Sequence, residues 1–227
     1  VLAYKDSLSS SGKSAYTVSS YLTIVRKLYA WLEGRKLYPD IAKDVKGAKK
    51  PRGFRKDTLS EDQLRQALST IDRSSQEGLR DYALFNLLAR TGLRTVEVAR
   101  ATVGDIRQEP GLKRGERVLW VQGKGRDSKD DFVLLTKEAL QPIQEYLQLR
   151  GRTSAKAPLF SSISDRNSGQ PLTTRSISRI IKQALRSIGL DDSRLTAHSM
   201  RHTAISLAAA QGAGLQQLQA MARHTDP

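Results

Sequence analysis

The chain contains no cysteine. That excludes disulfides, thiolate zinc sites and a cysteine nucleophile, and it is compatible with a reducing cytoplasm. No apolar run approaches the roughly 20 residues that a membrane helix needs, and no signal-peptide pattern is visible, so no membrane partner is expected. No Gly-x-x-x-x-Gly-Lys-Ser/Thr occurs, which rules out a P-loop, and there is no His-Glu-x-x-His pattern of the zinc-protease kind. Acids are also scarce: 23 Asp and Glu stand against 38 Lys and Arg, a formal net charge of +15 over 227 residues. Such an excess favours a polyanionic partner, most simply nucleic acid, over the plainer reading of a generally basic protein.

The hydrophobic content of 38% is enough to fill one large core or two smaller ones. Val18, Tyr21, Leu22, Val25, Leu28, Tyr29 and Leu32 follow the i, i+3, i+4, i+7 rhythm of a buried helical stripe that stops near Gly34. Residues 43–56 then hold seven basic side chains against one acid, interrupted by Pro51 and Gly53. This reads as a linker, and Lys49, Lys50, Arg52 and Arg55 are candidates for sequence-independent contact with DNA phosphates. Beyond it, Ser60 and Gln63 form a capping-box pattern that opens a helix over 61–72. Helices are also predicted over about 79–92, 95–101, 137–150, 174–187, 199–211 and 215–223. Between them the period falls to two: strands are predicted around 118–122 and 132–135, with a third over 103–106. The expected fold is mainly α with a small antiparallel β-sheet. It divides into a helical domain at 1–50, a basic linker at 51–57 and an α+β domain at 58–227.

The chemistry lies in separated segments. Arg94 follows Gly92, where one helix ends and the next begins, and Glu97 shares its helix face and can orient the guanidinium. His198 and Arg201 stand i, i+3 on a later helix; arginine offers a fixed fork for two phosphate oxygens, and histidine can donate to a third or take a proton. Lys124 projects from a Gly-Lys-Gly turn between two predicted strands. His198, His202 and His224 could alternatively hold a metal, but Ser199 replaces the general-base glutamate of a zinc protease and Arg201 would repel a dication; no metal and no cofactor is expected. Arg175, Arg179, Lys182 and Arg186, spaced +4, +3, +4, fall within a narrow arc opposite Ile177, Ile180, Ile181, Ala184, Leu185 and Ile188. That row suits a helix lying along DNA, or simply a solvated face.

Taken in order, Thr91-Gly92-Leu93-Arg94 with Glu97, Gly123-Lys124-Gly125, His198-x-x-Arg201-His202 and the late His224 resemble the tyrosine recombinases, the phage-type integrase family. The resemblance covers nearly the whole chain. It implies that residues 1 to about 50 are a DNA-clamping core-binding domain and 58–227 a catalytic domain. Arg94, Arg201 and His224 would hold the scissile phosphate of double-stranded DNA, Lys124 would protonate the leaving 5′-hydroxyl, His198 would assist, and Glu97 would support Arg94. It further implies site-specific DNA recombination or integration through a 3′-phosphotyrosyl intermediate, a homo-tetramer on two DNA sites and a cytoplasmic location at the bacterial nucleoid. A type IB topoisomerase-like enzyme and a non-catalytic architectural DNA-binding module are the alternatives.

Two departures from the pattern stand out. Arg223 precedes the late histidine, where the family usually has glycine. The family's nucleophile follows that histidine at a distance that falls past Pro227 here, and all seven tyrosines, Tyr4, Tyr16, Tyr21, Tyr29, Tyr38, Tyr82 and Tyr146, precede His198. With Val1 at its start and Pro227 closing a helical pattern, the chain is expected to be a piece cut at both ends, able to bind DNA but not to cleave it.

Overall fold

A computed structural model describes residues 1–49, 57–113, 115–123 and 125–223. Two compact units emerge, Val1–Phe54 and Arg55–Pro227. The smaller holds α1 (Leu2–Ser10) and α2 (Ala15–Gly34). Ser14 caps α2, its hydroxyl accepting the Thr17 backbone N–H at 3.2 Å. Leu8, Val18 and Leu22 form its small core, with Val1, Val45 and Ala48 packed against them. The stripe expected on α2 is narrower than its periodicity suggests. Tyr21 is 40% and Leu28 52% exposed, because the unit's core gathers at only one end of the α2 stripe, around Val18 and Leu22. α1 has no apolar periodicity to mark it, and it buries only Leu8 among polar neighbours.

The larger unit is built around α4 (Gln76–Thr91), whose Ala83, Leu84, Phe85, Leu87 and Leu88 are fully buried. An all-round apolar helix belongs at the centre of its domain, and α4 packs against α6 (Lys137–Arg150) and α8 (Ala197–Ala210). α3 (Glu61–Ser69) precedes it behind the expected capping box: the Gln63 N–H donates to Ser60 Oγ at 3.1 Å, and the Ser60 N–H to Gln63 Oε1 at 2.9 Å. α6 continues through Pro142, which cannot donate to the carbonyl of Glu138 four residues back. The Asn86 side-chain amide of α4 donates to that carbonyl instead, at 2.7 Å, so the proline also fastens two helices together.

β1 (Ile106–Arg107), β2 (Arg117–Val121) and β3 (Asp131–Leu135) form an antiparallel sheet in that order, with Leu119 opposite Val133. The strand expected over 103–106 is only partly present. Val103–Asp105 is a 3-10 turn, because the buried Asp105 carboxylate accepts the Thr102 N–H at 2.7 Å and its hydroxyl at 2.8 Å. A local side-chain acceptor has outcompeted the ladder there. The remaining helices are α5 (Thr95–Arg100), α7 (Thr174–Arg186) and α9 (Leu215–Ala222). Among the described residues, no helix is long and apolar enough to cross a membrane.

Candidate active site

α4 ends at Gly92, whose φ of +60° is the left-handed conformation that glycine adopts without strain. A Cβ there would meet Ala204 Cβ at 3.5 Å, an ordinary contact, so the backbone alone sets the cost of replacement. Gly92→Ala is expected to lower stability by about 1 kcal/mol, measurable by urea denaturation, and an unchanged midpoint would contradict the turn described here.

The sharp turn hands the chain straight to Arg94 at the start of α5. Glu97, 1% exposed, lies beneath it. One carboxylate oxygen accepts Arg94 Nη1 at 2.9 Å; the other accepts the Arg94 backbone N–H at 2.7 Å and Arg223 Nη2 at 2.6 Å. The Arg94 guanidinium is thereby held in a fixed direction while remaining partly exposed.

α8 begins at Thr196. Ser199 Oγ accepts the Thr196 N–H at 3.0 Å and donates to the Arg194 carbonyl at 2.9 Å, so Ser199 organises the helix start rather than any metal chemistry. His198 occupies the first turn, exposed, its ring edge-on to His202 with centroids 4.8 Å apart. Arg201, one turn on, is buried. Its Nη1 donates to the Gly92 carbonyl at 2.7 Å and its Nη2 to the Ala222 carbonyl at the end of α9. The two bonds use two of the five donors and tie the ends of α4 and α9 to one guanidinium on α8. Burial, and then the Arg94 and Arg223 charges, push Arg201 down to about 10, still cationic at neutral pH.

Arg94, His198 and Arg201 line one concavity of about 410 Å³, together with Thr95, Thr196 and Ser178 of α7. No carboxylate lines it, since Glu97 sits behind. Two guanidiniums on a cleft with no Asp or Glu among its lining residues suit an anion. A second concavity, of about 450 Å³, runs along Glu77, Arg80, Asn167 and Arg179. Its buried Arg80 is already bound to Asp81, Glu77 and the Ser161 carbonyl, so that cleft has no comparable surplus of directed donors.

Lys124 and His224 lie outside the described residues, as do Lys50, Arg52 and Arg55; Lys49 is described and exposed. Beside Lys124, the Gly123 carbonyl accepts Arg100 Nη1 of α5 at 3.4 Å, and Gln122 Nε2 donates to the Arg126 carbonyl at 2.6 Å. The first bond joins the hairpin to α5, and the second closes the hairpin on itself. The cationic row on α7 is not uniformly available. Lys182 reaches the Asp192 carbonyl at 2.6 Å and Asp191 at 3.0 Å, and Arg186 Nε donates to Asp191 at 2.9 Å, whereas Arg175 and Arg179 at its other end are exposed. Asp191-Asp192 in the sequence is the signal for that neutralisation. Among the described residues, no three potential metal ligands gather. Tyr82 and Tyr146, the tyrosines of the larger unit, do not line the concavity: Tyr146 is fully buried on Phe160 with its hydroxyl at 3.1 Å from Ser161 Oγ, and Tyr82 lies under Arg73. The residue that sequence reasoning undervalued is Arg223, marked only as a departure and yet bound to Glu97.

Residues 57–227 match the model of the phage integrase family. A tyrosine recombinase of Synechococcus elongatus is 29% identical over 227 residues, 99% of this chain and 68% of its own length. Tyrosine recombinase XerD of Vibrio cholerae is 30% identical over 225 residues, 98% of this chain and 71% of its own. Among solved structures, the XerH site-specific recombinase bound to palindromic difH substrate superposes with a TM-score of 0.79 at 21% identity, covering 99% of this chain and 65% of that one. A lambda integrase dimer bound to a COC′ core site superposes with a TM-score of 0.72 at 16% identity, covering 99% of this chain and 77% of that one.

Proposed function

Because the chain belongs to the phage integrase family, whose curated relatives here are tyrosine recombinases, we propose that it serves site-specific recombination or integration of double-stranded DNA and that the concavity between α5 and α8 receives the scissile phosphodiester. The observation that carries this reading is the meeting of Arg94, His198 and Arg201 on one cleft, with Glu97 fixing Arg94 from behind. Arg94 and Arg201 bind the non-bridging oxygens and stabilise the charge that accumulates in the pentacoordinate transition state. His198 donates to an oxygen or relays a proton. A tyrosine hydroxyl gives up its proton to His198 and attacks phosphorus in line, the P–O bond to the 5′-oxygen breaks, and Lys124 supplies the proton that the leaving oxygen takes up. His224 adds a third phosphate contact. The bond energy is kept in the 3′-phosphotyrosyl link, ready for reversal by another 5′-hydroxyl.

In this reading residues 1–50 clamp the duplex, the basic stretch 51–57 follows phosphates, and residues 58–227 carry the chemistry. Lys49, Lys50, Arg52 and Arg55, with Arg175 and Arg179 of α7, add affinity that is not sequence-specific; Lys182 and Arg186 contribute less, being neutralised by Asp191. Two duplexes held by a homo-tetramer, in the cytoplasm at the nucleoid, complete the proposal.

The test uses the full-length protein and a nicked duplex that traps the covalent intermediate. A protease-sensitive protein–DNA adduct, and exchange of strands between two sites, are expected. Relaxation of supercoils without exchange would favour a topoisomerase, and DNA binding with no adduct would favour an architectural role. Residues 1–227 alone are expected to bind duplex DNA without forming the adduct, since neither tyrosine of the larger unit reaches the cleft. Their affinity should fall steeply with salt, as counterion release requires.

A further inference from the structure

Arg223 ends α9 with φ +46° and ψ +48°, the left-handed region that suits glycine. Among the described residues only Lys36 shares a positive φ without being glycine. Lys36 is exposed at a helix end, whereas the Arg223 side chain is 6% exposed. A long cationic side chain held in a disfavoured backbone conformation, and buried, is kept there by what it binds. It binds Glu97 through Nη2 at 2.6 Å, on the carboxylate oxygen that also receives the Arg94 backbone N–H. Its Nη1 donates to the Met221 carbonyl at 3.3 Å. Among the described residues its Nε has no hydrogen-bond partner, and it stands 3.7 Å from Asp131 at the start of β3. One residue back, the Ala222 carbonyl accepts Arg201 Nη2.

We propose that Arg223 is a positioning residue of the phosphate site: by tying the end of α9 to Glu97, it holds Arg94 and Arg201 at their separation across the concavity. The inference rests on the phosphotransfer reading above. Arg223 does not line the cleft and acts through its neighbours. Glu97 is the hub, since it holds Arg94 on one side and Arg223 on the other, while Arg201 grips the same helix end by its main chain. With glycine at 223 the backbone would relax but α9 would be attached to the site by Arg201 alone. The third guanidinium also leaves the cluster richer in positive charge than Arg94, Arg201 and Glu97 would be, so a bound phosphodiester relieves more repulsion.

Three full-length variants decide this: Arg223→Gly, which suits the backbone and so guards against misfolding, Arg223→Ala and Arg223→Lys. Single-turnover cleavage and duplex affinity are measured separately, with melting temperature alongside. Groups behind the contacting ones typically change rates by about 10- to 100-fold. Glycine and alanine are each expected to slow cleavage by about tenfold or more, with affinity within about threefold of wild type, and lysine, which can still meet Glu97, to recover part of the rate. Glycine is expected to melt no lower than alanine yet cleave no faster. Cleavage by Arg223→Gly within about threefold of wild type overturns the proposal, as does a loss that appears in affinity instead of rate or that vanishes at low temperature. A wild-type protein that forms no adduct overturns the functional reading and this inference together.

Discussion

Replacing Arg201 by alanine in the full-length protein is expected to slow DNA cleavage by on the order of a thousandfold, the scale on which a single arginine stabilises a phosphoryl-transfer transition state. The side chain does two things at once. It is the buried member of the pair facing the concavity, and it joins the carbonyls of Gly92 and Ala222, the end of α4 and the end of α9. Truncation therefore also leaves two acceptors without their donor, at about 1–3 kcal/mol each where water cannot replace it. Single-turnover cleavage on a trapping substrate, read beside urea denaturation, separates the two effects. Lysine keeps the charge but not the planar fork, so it cannot span both carbonyls and still present donors to phosphate; Arg201→Lys is expected to remain slow by about a hundredfold. A variant at position 201 that cleaves within tenfold of wild type would show that the concavity is not where the reaction occurs.

Glu97→Ala is expected to be strongly destabilising, at about 3–5 kcal/mol, the typical penalty for removing one partner of a buried ion pair. Its carboxylate receives three donors, two of them guanidinium groups, and one of those belongs to Arg223, which is buried with only the Met221 carbonyl and a distant Asp131 to fall back on. Glutamine should be milder, because its carbonyl can still accept the Arg94 backbone N–H while the charge is gone. Urea denaturation of residues 1–227 reads this directly, in the transition of the larger unit. A loss below about 1 kcal/mol for alanine would mean that the cluster is solvated rather than buried.

Much of the larger unit was legible because its signals are local. The Ser60–Gln63 box, the Gly92 stop, the repeated isoleucines of α7 and the alternation around Trp120 each act within a few residues, and each marks the element found there. What escaped was decided by partners distant in sequence or by side chains competing with the backbone. Val103 looked like a strand residue until the Asp105 carboxylate captured the Thr102 N–H. Tyr21 and Leu28 fitted a buried stripe, but the core of the smaller unit forms around Val18 and Leu22 and leaves them exposed. Lys182 and Arg186 read as open cations because nothing in a helical wheel reveals that the chain turns back and presents Asp191 to both. The grouping of Arg94, His198 and Arg201 was anticipated from a family pattern and not from spacing, since more than a hundred residues separate positions 94 and 201. The hub role of Glu97 and the engagement of Arg223 with it needed three dimensions.

The bond from Asn86 to the Glu138 carbonyl makes positions 86 and 142 dependent on each other's history. As long as proline occupies 142, the amide at 86 has an acceptor waiting for it, and a leucine at 86 would leave the Glu138 carbonyl without that donor. If 142 were to become alanine, the helix would supply its own N–H, and the asparagine would have to share an acceptor it now has to itself. Change at either place should therefore be tolerated best when the other changes with it, a covariation between two helices that neither local sequence betrays.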